Sequence, residues 1–226
     1  MFKKTNCLIC LFVFVALSLA CKRAVPGIFE DCKYESIYAL DCGKDLLAGY
    51  PAENRDGTVN AVVEIPAGTN AKWEVNATLQ DGTKPTDGKL RWEFKNGKPR
   101  VVQYLAYPGN YGLIPNTRGG DGDALDIILL GPSVPRGSVI QAKCIGVLKM
   151  IDGGDIDDKI VGVIPMSPFS NIETITDLEE QFPGVRDIIE IWFTHYKRNN
   201  EIFIKGWGDK LEAERILQQA RVKMNQ

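Results

Sequence analysis

The chain has 226 residues, 44% hydrophobic and 25% charged, which suits one globular domain with a real core. Its 27 basic and 29 acidic residues leave a net charge of -2. No global field therefore favours nucleic acid or an anionic membrane surface, and any anion binding has to come from a local arrangement of Lys and Arg.

In chain order, the first segment is a targeting sequence. Lys3 and Lys4 form a short positive region, Leu8 to Leu17 is almost wholly apolar, and Ser18-Leu19-Ala20 precedes Cys21. The run is too short for a confident transmembrane helix and reads as a signal peptide over residues 1–20. A lipoprotein-type cut would leave Cys21 as a lipid anchor holding the domain on a membrane surface. Plain secretion and an uncleaved anchor compete with that reading, because Ser18 stands where the lipoprotein box prefers Leu. Of the cysteines left after export, Cys32 and Cys42 lie close enough to close a short loop in an oxidising compartment, or to stand as two thiols. Cys144, in the apolar run Val139 to Leu148, reads as a core thiol.

Residues 21–58 carry Pro26, Gly27, Gly43, Gly49, Pro51 and Gly57 and read as a linker and peripheral extension to a domain over 59–226. Ala61 to Ile65 is a β-branched run, and Ala71 to Val75 alternates as a half-buried strand does. Asp87-Gly88 and Asn96-Gly97 bracket Leu90 to Phe94 as in a hairpin. Further strands are expected over 101–105, 124–130, 138–150 and 159–164. Ile188, Ile189, Trp192, Phe193 and Tyr196 then recur at helical spacing after Pro183-Gly184. A strand over 201–205 precedes a final amphipathic helix carrying Leu211, Ile216, Leu217, Ala220 and Met224. Many short strands followed by helices predict an α+β fold, a small closed OB-like β-barrel flanked by C-terminal helices.

Two acidic clusters interrupt this pattern. Asp121, Asp123 and Asp126 lie within six residues at the start of an apolar strand. Unpaired, they would repel one another, and a bound divalent ion removes that cost. Oxygen-only ligands point to magnesium, manganese or calcium. An EF-hand fails on spacing, since its fifth and sixth positions would be Leu125 and Asp126. A solvated acidic turn remains open as the plain alternative. Asp152, Asp155, Asp157 and Asp158 form the second cluster, followed by Lys159. Two such strand ends at one barrel mouth could hold more than one ion. Lys72, Arg100, Tyr107, Tyr111, Tyr196 and Lys197 supply the cations and hydroxyls that suit a small, dense anion such as phosphate. His195, the only histidine, has no plausible triad partner and reads as structural.

Together these residues resemble the family I soluble inorganic pyrophosphatases. Asp121-Gly-Asp-Ala-Leu-Asp126 fits that family's Asp-x-Asp-Pro-x-Asp signature with Ala124 at the Pro. Val63-Glu-Ile-Pro66, Lys72-Trp-Glu74, Tyr107-Pro-Gly-Asn-Tyr-Gly112, Gly146 to Met150, Asp152 to Lys159 and His195-Tyr-Lys197 follow in the family's order. The resemblance implies hydrolysis of pyrophosphate to two phosphates with several Mg2+ ions, Mn2+ being a possible substitute. It implies Asp121, Asp126, Asp152 and Asp157 as metal ligands and Asp123 as the proton acceptor beside the attacking water. Tyr107 and Lys159 are implied at the reacting phosphate, within a substrate-binding set of Lys72, Arg100, Tyr107, Lys159, Tyr196 and Lys197. Glu64, Glu74 and Tyr111 are implied as supporting residues. Arg100 stands one residue closer to Tyr107 than in bacterial relatives, which leaves Arg91 as its substitute, and Trp73 replaces a usual Tyr. A homo-oligomer, dimer or hexamer, is implied, as is an absence of nucleic-acid partners. Export sets this chain apart, giving a protein anchored through Cys21 and facing the periplasm or cell surface, or secreted. The rival reading is a surface lipoprotein that binds phosphate or metal through a degenerate site. A hydrolase of other phosphate esters or polyphosphate is a further alternative.

Overall fold

A computed structural model describes residues 27–28, 32–197 and 201–222. The proposed signal peptide and Cys21 lie outside the described residues.

The elements run β1 (Gly27–Ile28), β2 (Lys33–Ser36), β3 (Ala39–Asp41), β4 (Val59–Ile65), β5 (Trp73–Val75), β6 (Leu90–Trp92), β7 (Phe94–Lys95), β8 (Lys98–Pro99) and β9 (Asn110–Leu113). They continue with β10 (Asp126–Leu130), β11 (Val139–Asp152), β12 (Asp155–Ile156), β13 (Lys159–Val163), α1 (Ile175–Gln181), α2 (Val185–His195), β14 (Ile202–Gly208) and α3 (Lys210–Ala220). Strands thus precede helices except for β14, the late strand that the sequence predicts.

The long strand β11 organises the sheet. Its pairing shifts register between Cys144 and Gly146 and again between Lys149 and Met150. Such irregularities bend a strand, and β11 pairs in succession with β4, β13 and β14. From β13 the pairing passes to β10, then β9, then β4, which returns to β11. Gly112 is required in β9, because a Cβ there would stand 1.8 Å from the Val62 carbonyl oxygen.

Both faces of this circuit are apolar. Ile127 and Leu129 of β10 pack in one cluster with Ala213, Leu217 and Ala220 of α3. Ile128 and Leu130, pointing the other way, share a second cluster with Leu178 of α1 and Ile189, Trp192 and Phe193 of α2. This explains why β4 and β13 read as unbroken apolar runs, buried along their whole length. Thr174 and Asp177 close a capping box at the start of α1, a helix that the sequence pattern did not predict.

Three expectations change. Residues 32–58 are more than a linker: Leu40, Cys42, Leu46 and Tyr50 share a core cluster with Val62, Trp73, Leu90 and Val139. A disulfide joins Cys32 to Cys42. Leu90–Trp92 does not form a hairpin of its own. It lies between β3 and β5 in a four-stranded sheet, and the tight turn at Asn96-Gly97 joins β7 to β8 instead. Residues 101–105 form no strand, since the Asn70 amide captures the carbonyls of Val102 and Tyr104 that a strand partner would need. In α3, Leu211 faces solvent.

Candidate active site

Parallel pairing of β10 with β13 puts Asp126 directly beside Lys159. Neither strand could achieve this locally, since β11 and its turns intervene in sequence. Lys159, 2% exposed at its side chain, is ion-paired with both Asp126 and Asp157. The Tyr111 hydroxyl donates to Asp126 Oδ2 at 2.5 Å, reaching across the antiparallel β9–β10 pair. Burial alone would raise the Asp126 pKa, but Lys159, Lys72 and the Tyr111 hydrogen bond reverse this and hold it below the ordinary carboxylate value. Asp157 goes the other way: burial pushes it up to about 6.

The next ring of charge comes from β4 and β5. Glu64 and Lys72 are buried. Glu64 accepts a hydrogen bond from the Val75 amide at 2.7 Å, and burial together with Glu74 raises its pKa well above the usual range. Lys72 Nζ lies 2.6 Å from Glu74. Burial would favour the neutral amine there, but Glu74 and the neighbouring tyrosines and Asp126 keep it charged. Lys197 pairs with Asp152 at the end of β11, and Tyr196 stacks on Trp192 with ring centroids 4.7 Å apart.

One cavity of about 440 Å³ is lined by Asp121, Asp123, Asp126, Asp152, Asp157, Glu64, Glu74, Lys72, Arg100, Tyr111, Lys159, Tyr196 and Lys197. Only Tyr107 of the predicted set is not on its wall. Tyr107 is buried behind it, 5.2 Å ring to ring from Tyr111 and 4.4 Å from Trp192. Burial raises its pKa, so the hydroxyl stays protonated. Arg100 lines the cavity while held by Glu93 at 2.8 Å. Arg91 is paired with Asp87 and lines a different cleft, so geometry favours Arg100 over its substitute. His195 is exposed at the end of α2, off the cavity wall.

The rim of the site is looser. Asp121 and Asp123 lie on an exposed loop in which Asp121 Oδ1 accepts from the Asp123 amide at 3.0 Å. Asp123 meets Lys84 at 3.3 Å, both side chains more than half exposed. Lys84, Asn116 and Arg118 also line the cavity and were not singled out by sequence. Nothing in the local pattern marks Lys84; Asn116, at φ 53, sits in a left-handed turn of the kind Asn tolerates.

Among the described residues no three acidic, His or Cys side chains form a ready-made metal cluster. The inner carboxylates are instead neutralised by Lys159, Lys197 and Lys72. The donor set still fits a hard cation: every candidate ligand is oxygen, and desolvation raises the pKa of the buried Glu64 and the partly buried Asp157.

The profile of the inorganic pyrophosphatase family matches residues 61–225. An inorganic pyrophosphatase of Corynebacterium efficiens is 34% identical over 168 residues, covering 71% of this chain and 94% of that protein. One from Gluconobacter oxydans is 36% identical over 177 residues, with 75% and 93% covered. The crystal structure of type I inorganic pyrophosphatase from Toxoplasma gondii superposes with a TM-score of 0.73 at 26% identity, covering 83% of this chain and 92% of that one. With these matches spanning the domain that carries the acidic cavity, the chain belongs to the family I soluble inorganic pyrophosphatases.

Proposed function

We propose that the protein hydrolyses inorganic pyrophosphate to two orthophosphates in this cavity, with Mg2+ as cofactor. The observation that carries the reading is the pairing of Asp126 and Asp157 on the buried Lys159, set within one cavity against Lys72, Arg100, Tyr196 and Lys197. Carboxylates for cations and ammonium groups for phosphate oxygens then face a common space. Asp121, Asp126, Asp152 and Asp157 would hold the metal. When bound, Mg2+ supplies Lewis acidity, neutralising phosphate charge and acidifying water.

The chain's own groups do the rest. Lys72, Arg100, Lys159, Tyr196 and Lys197 orient the two phosphoryl groups, while Tyr107, protonated and buried behind the wall, packs against Tyr111 and supports it from there. Asp123 takes the proton from the attacking water. The water oxygen attacks one phosphorus as the bond from that phosphorus to the bridging oxygen breaks, and the second phosphate departs with the bridging oxygen. Lysine ammonium groups fixed by neighbouring carboxylates are preorganised for the charge that develops there. Glu64, Glu74 and Tyr111 keep the carboxylates and ammonium groups in place.

The strand circuit β11–β13–β10–β9–β4 supports reading the fold as a closed, OB-like barrel. The apolar run ahead of Cys21 supports an exported protein held by a lipid on that cysteine, and the resemblance to the family implies a homo-oligomer. Phosphate release from pyrophosphate by the purified chain, with and without Mg2+, tests the activity. Magnesium-dependent release is expected, and its absence in a folded sample overturns the reading. Fatty-acid labelling that disappears in Cys21→Ser tests the anchor.

A further inference from the structure

One residue that binds substrate in this reading, Lys72, and the supporting Glu74 are carried by a short strand and its edge. β5 has three residues. Lys72 immediately precedes it and Glu74 lies at its centre, both on the cavity wall. Trp73, between them, projects to the opposite face as strand alternation requires, where it is 3% exposed. Whatever packs on Trp73 therefore sets the twist and height of Lys72 and Glu74.

Three groups pack there, two of them outside the strand's own sheet neighbour. Trp92, the cross-strand partner of Trp73, stacks on it with centroids 6.0 Å apart. Arg136 lies over the Trp73 ring at 4.4 Å, a cation–π contact. The Arg136 Nε also donates to the Glu64 carbonyl at 2.8 Å, so one guanidinium ties β5 to β4. Tyr34 of the N-terminal β2–β3 hairpin meets Trp73 edge-on at 6.2 Å, on the same ring that Arg136 covers. The Cys32–Cys42 disulfide closes the base of that hairpin, and Gly137, next to Arg136, admits it: a Cβ there would stand 2.6 Å from the Cys32 sulfur. None of the ion pairs found among the described residues involves Arg136. Its charge is directed at an aromatic face and a backbone carbonyl.

We propose that Arg136 and Tyr34 are positioning residues for pyrophosphate binding, acting through Trp73 to hold Lys72 and Glu74 at the cavity wall. The hairpin that supplies Tyr34 lies before residue 61, where the family match begins, so the brace on this strand is built in part from the segment that precedes the matched domain. The inference rests on the pyrophosphatase reading.

The test compares Arg136→Ala, Arg136→Lys, Tyr34→Ala and Tyr34→Phe in the full chain, measuring KM and kcat for pyrophosphate beside thermal stability. Because the brace touches a binding group and not the reacting atoms, Arg136→Ala should raise KM about tenfold with kcat changed less than about threefold. Arg136→Lys, which keeps a cation over the ring, should recover part of the loss. Tyr34 is 64% exposed, so Tyr34→Ala should fold even if Arg136→Ala does not, and it should raise KM more than Tyr34→Phe. A purely structural stack would lower thermal stability and leave KM unchanged in all four variants, which overturns the inference. An inactive wild-type chain would overturn the pyrophosphatase reading itself. Active wild type with an unmoved KM sinks only the brace.

Discussion

The two acidic segments of the site differ more in environment than in composition. Asp126 and Asp157 are partly buried around the fully buried Lys159, with Tyr111 closing the group. Asp121 and Asp123, a few residues upstream on the same chain, are exposed on a loop whose ion pair to Lys84 is itself exposed. The inner group resides where charge is costly and geometry is fixed by strand register. The outer group sits in water, where charges cost little and geometry is loose. In the proposed reaction, a site assembled this way keeps its cation-binding floor on the strands and leaves Asp123, the proposed proton acceptor, on the exposed loop. The folding energy and the chemistry should therefore separate along this line.

Asp126→Asn should show the largest effect. The amide keeps the shape and can still accept from Tyr111, so the melting temperature should move by only a few degrees, while kcat/KM should fall by more than about 10³-fold as a ligand charge is lost. Wild-type rates would refute its assignment. Lys159→Met attacks the same floor from the other side. It strands two partly buried carboxylates without their cation and should cost about 3 kcal/mol of stability in urea unfolding, the low end for a buried pair. A loss below about 1 kcal/mol would mean that solvent reaches the group and that the contrast with the loop is weaker than the burial suggests. Added Mg2+ should restore part of that loss by binding the native state.

Much of the inner group was legible because its signals are local. The Asp121–Asp126 run, the order of blocks from Val63 to Lys197 and the apolar strands β4, β10, β11 and β13 are all visible in sequence. The meeting of Asp126 with Lys159 is not local, and it follows from a parallel register that no spacing rule discloses. The core role of residues 32–58 was hidden for a different reason. Leu40, Leu46 and Tyr50 recur with neither helical nor strand period among Gly and Pro, and they are buried by tertiary contacts with Trp73 and Leu90. The brace of Arg136 on Trp73 joins residues 63 positions apart through a ring face. Nothing in either residue's neighbourhood marks it.

The loop side of the comparison predicts the reverse of Lys159→Met, a loss of chemistry with no loss of stability. Asp123→Asn should leave stability within about 0.5 kcal/mol of wild type, as surface changes do, yet slow turnover by about 10²-fold if its carboxylate takes the water's proton. Equal losses of stability and activity would place Asp123 with the floor. Lys84→Ala carries the comparison to its smallest effect. The Lys84–Asp123 pair spans 3.3 Å between two exposed side chains, a class of ion pair that contributes about 0–1 kcal/mol and weakens with salt. Its loss should change stability by less than about 0.5 kcal/mol and turnover by no more than about twofold, with the difference shrinking as ionic strength rises. A tenfold fall in turnover that persists in high salt would show that Lys84 works on the substrate directly, and the loop would then be part of the binding machinery and not only a carrier for Asp123.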